Sequence, residues 1–190
     1  MECLRLSRGD FITLNKTAGL RSKGLHLSDI LNDIEKTLYP KEAERKKGFK
    51  SQLWAEIGFM WEEALSMAWK NLLGKRPGEI VKDGIACSPD GECIDEGYIE
   101  EYKCTWRSTK TTPWDIWRWI IQTKAYCYVL GVNTVIFYIV YVNGDYRENR
   151  EPTDERFLIN YTDTELRDNW TMLVDHAKMR GWLPQEVKQS

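Results

Sequence analysis

The segment NTVIFYIVYV (133–142) is apolar on both of its faces. Successive side chains of a strand point to opposite sides of a sheet, so a strand of this composition has to be covered twice. That is the environment of an interior strand lying between helices. The surrounding sequence supplies them. In GLHLSDILNDIEKTLYP (24–40), Ile30, Leu31, Ile34 and Leu38 recur at helical spacing, Ser28 stands as an N-cap, and Pro40 ends the run. SQLWAEIGFMWEEALSMAWKNLLG (51–74) carries the strongest helical pattern, with Ile57, Trp61, Ala64, Leu65, Ala68 and Leu72 on one face and Gly74 as its stop.

A β region follows. EIVKDGIACS (79–88) reads as one strand, PDGE (89–92) as a turn, and GYIEEYKCTW (97–106) as a second strand. WDIWRWIIQTKAYCYVLG (114–131) is a helix ending at Gly131, and Asn143-Gly144 is a hairpin signal after the apolar strand. ERFLINY (155–161) is a further strand. Thr162 and Glu165 form a capping box that opens a last helix over ELRDNWTMLVDHAKMRG (165–181). The order α, α, β, β, α, β, β, α predicts an α/β fold, with a central mixed β-sheet flanked by α-helices. The 190 residues suit one domain, with an N-terminal helical part over 24–74 and a sheet with its helices over 78–180.

Charge and cysteine usage narrow the class. The five cysteines (Cys3, Cys87, Cys93, Cys104, Cys127) are odd in number and form no CxxC, which predicts reduced thiols and no zinc or iron–sulfur site. No apolar run is long enough to span a bilayer, and MECLRLSRGDF has no apolar leader, so a cytoplasmic protein without membrane contact is expected. A net charge of −2 does not advertise nucleic-acid binding, but the basic residues are bunched, at Lys16, Arg21 and Lys23 and over KEAERKKGFK (41–50). His26 and His176 stand alone, outside any metal-ligand spacing, and suit surface or capping roles. No GxxxxGK loop is present, so nothing points to ATP-driven movement.

The chemistry lies in the β region. A period of two sends Ile99, Glu101, Lys103 and Thr105 to one side of their strand, and Glu100, Tyr102 and Cys104 to the other. Asp90 ends the preceding strand, eleven residues before Glu101. If these two strands pair, Asp90 comes beside Glu101, and two carboxylates converge with an ammonium. Close carboxylates repel, and a hard divalent cation relieves that repulsion. Mg²⁺ binds through one or two carboxylates, waters and substrate phosphate. A metal so placed polarises a phosphoryl oxygen and activates water, and a neighbouring lysine offsets transition-state charge. The reaction such a set serves is hydrolysis of a phosphodiester.

SPDG (88–91) followed by IEEYKCT (99–105) resembles the signature of the PD-(D/E)xK nuclease superfamily. Gln122 and Tyr126 in QTKAY resemble the QxxxY helix motif of its RecB-type and phage lambda exonuclease-like subgroup, and GLHLSD (24–29) is similar to the N-terminal stretch of such proteins. The similarity in motif order runs from about residue 24 to 175. It implies a restriction-endonuclease-like core in a single nuclease domain over 1–190. It implies Mg²⁺, with Mn²⁺ as substitute, held by Asp90, Glu101 and the carbonyl of Tyr102, with Lys103 assisting the attacking water. The family adds an acid on the preceding helix, four residues after a glycine. Here that is Glu62 after Gly58, and at roughly 100° per residue Glu62 borders the apolar stripe while its neighbour Glu63 faces solvent. Gln122 and Tyr126 share a helix face and would fix substrate or brace the site. Arg118 and Trp119 sit near that face, for phosphate and base.

The resemblance thus implies a Mg²⁺-dependent deoxyribonuclease, foremost an exonuclease of phage-type DNA recombination or processing. Its partner would be DNA, with room for a homo-oligomer and for a single-strand annealing or recombination partner, in the cytoplasm of a host if the bearer is viral. The same residues would serve an endonuclease for restriction or junction cutting. A nucleic-acid-binding module that keeps the fold without catalysis is the reading from a different class.

Overall fold

The computed structural model describes residues 22–40, 57, 58, 60, 61, 64, 67, 74–148 and 150–185. Strands β1 (Leu25–His26), β2 (Ile80–Lys82) and β3 (Ile85–Cys87) form one sheet in the order β1-β3-β2. Strands β4 (Gly91–Cys93), β5 (Tyr98–Thr105), β6 (Thr134–Tyr141) and β7 (Thr153–Asn160) form a second, in chain order. Both sheets are mixed: β1 runs parallel to β3 and β5 parallel to β6, while the other neighbours are antiparallel. Helices α1 (Leu27–Leu38), α2 (Trp117–Leu130) and α3 (Asp163–Met179) complete the described elements. The α/β class read from the sequence is the one observed, with two mixed sheets where one was expected.

The split has a local cause. Residues 79–88, read above as one strand, fold back on themselves at Asp83-Gly84, both with positive φ (49° and 78°), and β2 pairs with β3 across that two-residue turn. Asp-Gly is the sequence signature of such a hairpin turn. The turn expected at PDGE is likewise displaced. Gly91–Cys93 is already strand, and the chain reverses through a 3-10 turn at Ile94–Glu96 and Gly97, whose φ of 81° suits glycine.

The helices also depart in detail from the pattern. Helix α1 is capped by His26 rather than Ser28: Asp29, at the third helical position, accepts the His26 N–H at 3.2 Å. His26 is therefore a buried cap. Leu38, counted in the apolar stripe, is mostly exposed at the helix end. Of the helix expected over 51–74, Ile57, Gly58, Met60, Trp61, Ala64 and Met67 are described and helical, and Gly74, the expected stop, is described and lies outside any helix. Glu62 and Glu63 lie outside the described residues. Helix α2 starts at Trp117, after a 3-10 turn at Pro113–Asp115, and ends at Gly131 (φ 70°) as expected.

One main core joins these parts. Ile99 of β5 and Val135, Phe137, Ile139 and Tyr141 of β6 face Ile120, Ala125 and Cys127 of α2, and Leu166, Trp170 and Leu173 of α3 belong to the same cluster. On the opposite face of the sheet Tyr102 and Val140 pack with Trp61 and Tyr138. Strand β6 is thus wholly buried on one side, while on the other Val140 is buried and Ile136 and Tyr138 are half-buried. Among the described residues, no helix is long and apolar enough to cross a membrane, and Cys87, Cys93, Cys104 and Cys127 are free thiols.

The capping box that opens α3 is complete. The Glu165 N–H donates to Thr162 Oγ1 at 3.2 Å, and Glu165 Oε2 accepts the Thr162 N–H at 2.9 Å. Thr162→Ala is expected to destabilise the fold by about 1 kcal/mol, read as a lower urea midpoint with an unchanged slope. The Thr162 N–H, then Lys124 and the Thr162 hydroxyl, hold the Glu165 carboxyl down to about 2, from an ordinary 4.5. A depressed carboxylate stabilises the fold fully above its unfolded value and loses that contribution as pH falls through the folded one. The Thr162→Ala difference should therefore shrink between pH 4.5 and pH 2. The bond from the Glu165 N–H to the Thr162 hydroxyl does not titrate, so only the part owed to the hydroxyl's own bond to the Glu165 carboxylate (3.0 Å) is lost, and a difference constant across that window contradicts that bond.

Candidate active site

The register of β4 on β5 sets the site. Gly91 pairs with Glu100, Glu92 with Ile99 and Cys93 with Tyr98, so Asp90 stands one step beyond the ladder, level with Glu101. Strand β4 ends there, and among the described residues no strand lies beside that edge of β5 past Glu100. The side chain of Asp90 takes the next position instead: its Oδ2 accepts the Tyr102 N–H at 2.9 Å. In an extended strand a residue's N–H and C=O point to the same edge, so the carbonyl of Tyr102 also faces the Asp90 side.

Glu101 points to the opposite side from Tyr102, toward α2, and is wholly buried (0% exposed). Lys103, two residues on and on the same side, donates from Nζ to Glu101 Oε1. Burial pushes the Asp90 carboxyl up, against the opposing pull of the Lys103 ammonium, the Tyr102 N–H and Arg76. The phenol of Tyr126 is held well above its ordinary range, first by burial and then by the negative charges of Glu101 and Asp90. Strand β5, the end of β4 and helix α2 therefore bring Asp90, Glu101, Lys103 and Tyr126 into one electrostatic neighbourhood.

Helix α2 adds a row at four-residue spacing: Arg118, Gln122 and Tyr126. Gln122 Nε2 donates to Tyr126 Oη at 2.8 Å, and Arg118, largely withdrawn from water, feels the same phenol. Arg118 Nη1 is paired with Glu35 Oε2 of α1 at 3.2 Å. Trp119 lies elsewhere. Its ring stacks on Phe137 at 6.2 Å between centroids, against the main core. This half-buried placement gives it a packing role, and its contact with a base stays a proposal.

The donor set fits a hard cation. Two carboxylates and a backbone carbonyl are oxygen ligands of the kind Mg²⁺ takes, and it completes its octahedron with waters and phosphate. Among the described residues, no group of three or more His, Cys, Asp or Glu side chains converges, and Glu62, the third acid expected from the sequence, lies outside those residues. The isolated histidines stay out of the site. His26 caps α1, and His176 Nε2 bonds Asp33 Oδ2 of α1 at 2.9 Å.

Four residues around the site were not singled out from the sequence, Arg76, whose charge acts on Asp90, among them. Glu35 anchors Arg118, and Glu100 and Tyr138 form a buried polar cluster on the far face of β5 and β6. The doubled Glu in YIEEY, which puts an acid on each face of the strand, was the available signal for Glu100. Space is tight on that face. A Cβ on Gly91 would sit 2.8 Å from Tyr102 Oη and 3.0 Å from Glu100 Oε2. Gly91→Ala is expected to cost about 1–3 kcal/mol through overpacking, and an unchanged denaturation midpoint would contradict this close approach.

These features define a class of protein: an α/β fold with two mixed sheets flanked by helices, and a pair of carboxylates with a lysine at one strand edge. Among solved structures, the chain is similar in fold to the protein SSO0001, with a TM-score of 0.54 and 16% identity over 90% of this chain and 82% of that one. It is also similar to a phage-related exonuclease from Haemophilus somnus 129PT, with a TM-score of 0.47 and 15% identity over 80% of this chain and 78% of that one. The sequence matches no family model and no curated protein. At such identities the likeness is one of fold.

Proposed function

We propose that the chain is a metal-dependent DNA nuclease that hydrolyses phosphodiester bonds, foremost as an exonuclease of phage-type DNA recombination or processing. The observation that carries this reading is the placement of Asp90 level with Glu101, with Lys103 bonded to Glu101 and Tyr126 close to both acids. Exonuclease action rests on the resemblance of Gln122 and Tyr126 to the QxxxY motif.

Asp90, Glu101 and the carbonyl of Tyr102 would hold Mg²⁺, or Mn²⁺ in its place, and Glu62 is the acid proposed to approach it from the preceding helix. When bound, the ion polarises a phosphoryl oxygen and makes a coordinated water more acidic. The chain does the rest. Asp90 is oriented by the Tyr102 N–H, so its second oxygen is presented in a fixed direction. The Lys103 ammonium, held by Glu101, offsets charge that gathers on the phosphoryl group and orients the incoming water. Arg118 offers a guanidinium already extended from α2 and braced by Glu35, which suits a backbone phosphate. Tyr126 keeps its proton beside two acids, and Gln122 Nε2 donates to its phenolic oxygen, so this pair orients substrate rather than exchanging a proton with it.

The test is digestion of end-labelled DNA. With Mg²⁺ or Mn²⁺, the protein should release nucleotides from linear duplex or single-stranded DNA and leave closed circular DNA intact. Nicking of the circle would move the assignment to an endonuclease with the same site. No release from any substrate, with Lys103→Ala indistinguishable from wild type, overturns the reading.

A further inference from the structure

Glu100 is wholly buried (0% exposed) on the face of β5 opposite Glu101, and the proposed chemistry does not use it. Its Oε2 accepts the Tyr102 hydroxyl at 2.5 Å and the Gly74 N–H at 2.6 Å, and its Oε1 accepts the Tyr138 hydroxyl at 3.3 Å. A buried carboxylate is costly unless hydrogen bonds replace its water. Here the donors come from three separate parts of the chain: β5 itself, β6 and the segment at residue 74.

These contacts lead to the other face of the strand. The Tyr102 hydroxyl and Glu100 Oε2 occupy the space over Gly91 that a Cβ would need, 2.8 and 3.0 Å from where it would sit. The residue before Gly91 is Asp90, and Asp90 is tied to the N–H of Tyr102. Glu100 thus holds Tyr102 by its phenol, while Tyr102 holds Asp90 by its backbone. The segment at 74–75 closes the arrangement from outside. Lys75 and Glu92 exchange backbone hydrogen bonds of 3.1 and 2.8 Å, and a Cβ on Gly74 would strike Glu92 O at 2.6 Å.

We propose that Glu100 is a positioning residue for the divalent-ion site: through Tyr102 and Gly91 it fixes Asp90 relative to Glu101. This rests on the metal-dependent reading above and extends it to the far side of the sheet. Groups that orient metal ligands from behind are worth about 10–100-fold in metal affinity. Glu100 touches neither metal nor substrate, so its loss acts on the affinity for the ion.

The experiment measures Mn²⁺ binding to the whole protein from the spin-resonance signal of the free ion. Wild type, Glu100→Gln and Tyr102→Phe are compared, with thermal melts of each alongside. Tyr102→Phe keeps the ring and the backbone and removes only the hydroxyl that Glu100 accepts. The expected result is binding weaker by about 10-fold or more in both variants at a temperature where both are folded. If either variant melts earlier yet binds Mn²⁺ as wild type does, the role is structural only and the inference is overturned. Should Glu100→Gln fail to fold, Tyr102→Phe decides alone. A wild-type protein that binds no Mn²⁺ sinks the metal reading and this inference with it, whereas wild-type binding with unchanged variants sinks the inference alone.

Discussion

Glu101→Gln is expected to lower metal-dependent DNA hydrolysis by at least about 10²-fold, the scale of losing one charge-stabilising group from an active site. The substitution keeps the shape of a side chain that has no exposed surface. Its amide oxygen can still accept from Lys103, so the fold is expected to persist. What goes is the negative charge that, with Asp90, would draw in the cation. Asp90→Asn should behave alike, because the Tyr102 N–H still finds an oxygen there. The measurement is kcat/KM on linear DNA across a range of Mg²⁺ concentrations, with circular dichroism to verify folding. A folded Glu101→Gln protein with wild-type kcat/KM would remove Glu101 from the chemistry.

Phe137→Ala is expected to cost about 3–5 kcal/mol, from lost burial and the cavity left behind. Phe137 is wholly buried at the middle of β6, where it pairs with Glu101 of β5 and Phe157 of β7, and Trp119 of α2 stacks on its ring. For a chain of this length each kcal/mol lowers Tm by about 2–4 °C, so a fall of roughly 10 °C should be seen by calorimetry. A loss below about 1 kcal/mol would mean that the site collapses around the gap, and that β6 is not the packed centre its sequence implies.

The two residues in these predictions also mark how much the sequence disclosed. Phe137 lies in a strand apolar on both faces, and a strand's period of two leaves no other placement for it. The same period put Glu101 and Lys103 on one side, and the register at Gly91 and Glu100 then brought Asp90 level with Glu101. Gln122 and Tyr126 met because four residues make about one helical turn. Local period therefore carried most of the site.

What it missed was set elsewhere. The hairpin at Asp83-Gly84 had a local signal, the Asp-Gly pair, which the apolar residues on either side obscured. Strand β1 is two residues long, too short to show any period. It forms because Leu25 and His26 pair with Ile85 and Ala86, sixty positions away. The anchor of Arg118 at Glu35 spans 83 residues. Alternation told which way Glu100 points and not that it would be buried, since burial depends on Tyr138 and Gly74 arriving from other segments. Glu62, the acid assigned from its distance to Gly58, lies outside the described residues.

The central claim is that the carboxylates of Asp90 and Glu101 share one divalent ion beside Lys103. A crystal soaked in manganese tests it through anomalous difference density. The account predicts a single strong peak between the two carboxylates, within coordination distance of both and of the Tyr102 carbonyl. No peak there, or one held by other residues while Asp90 and Glu101 point apart, would contradict it.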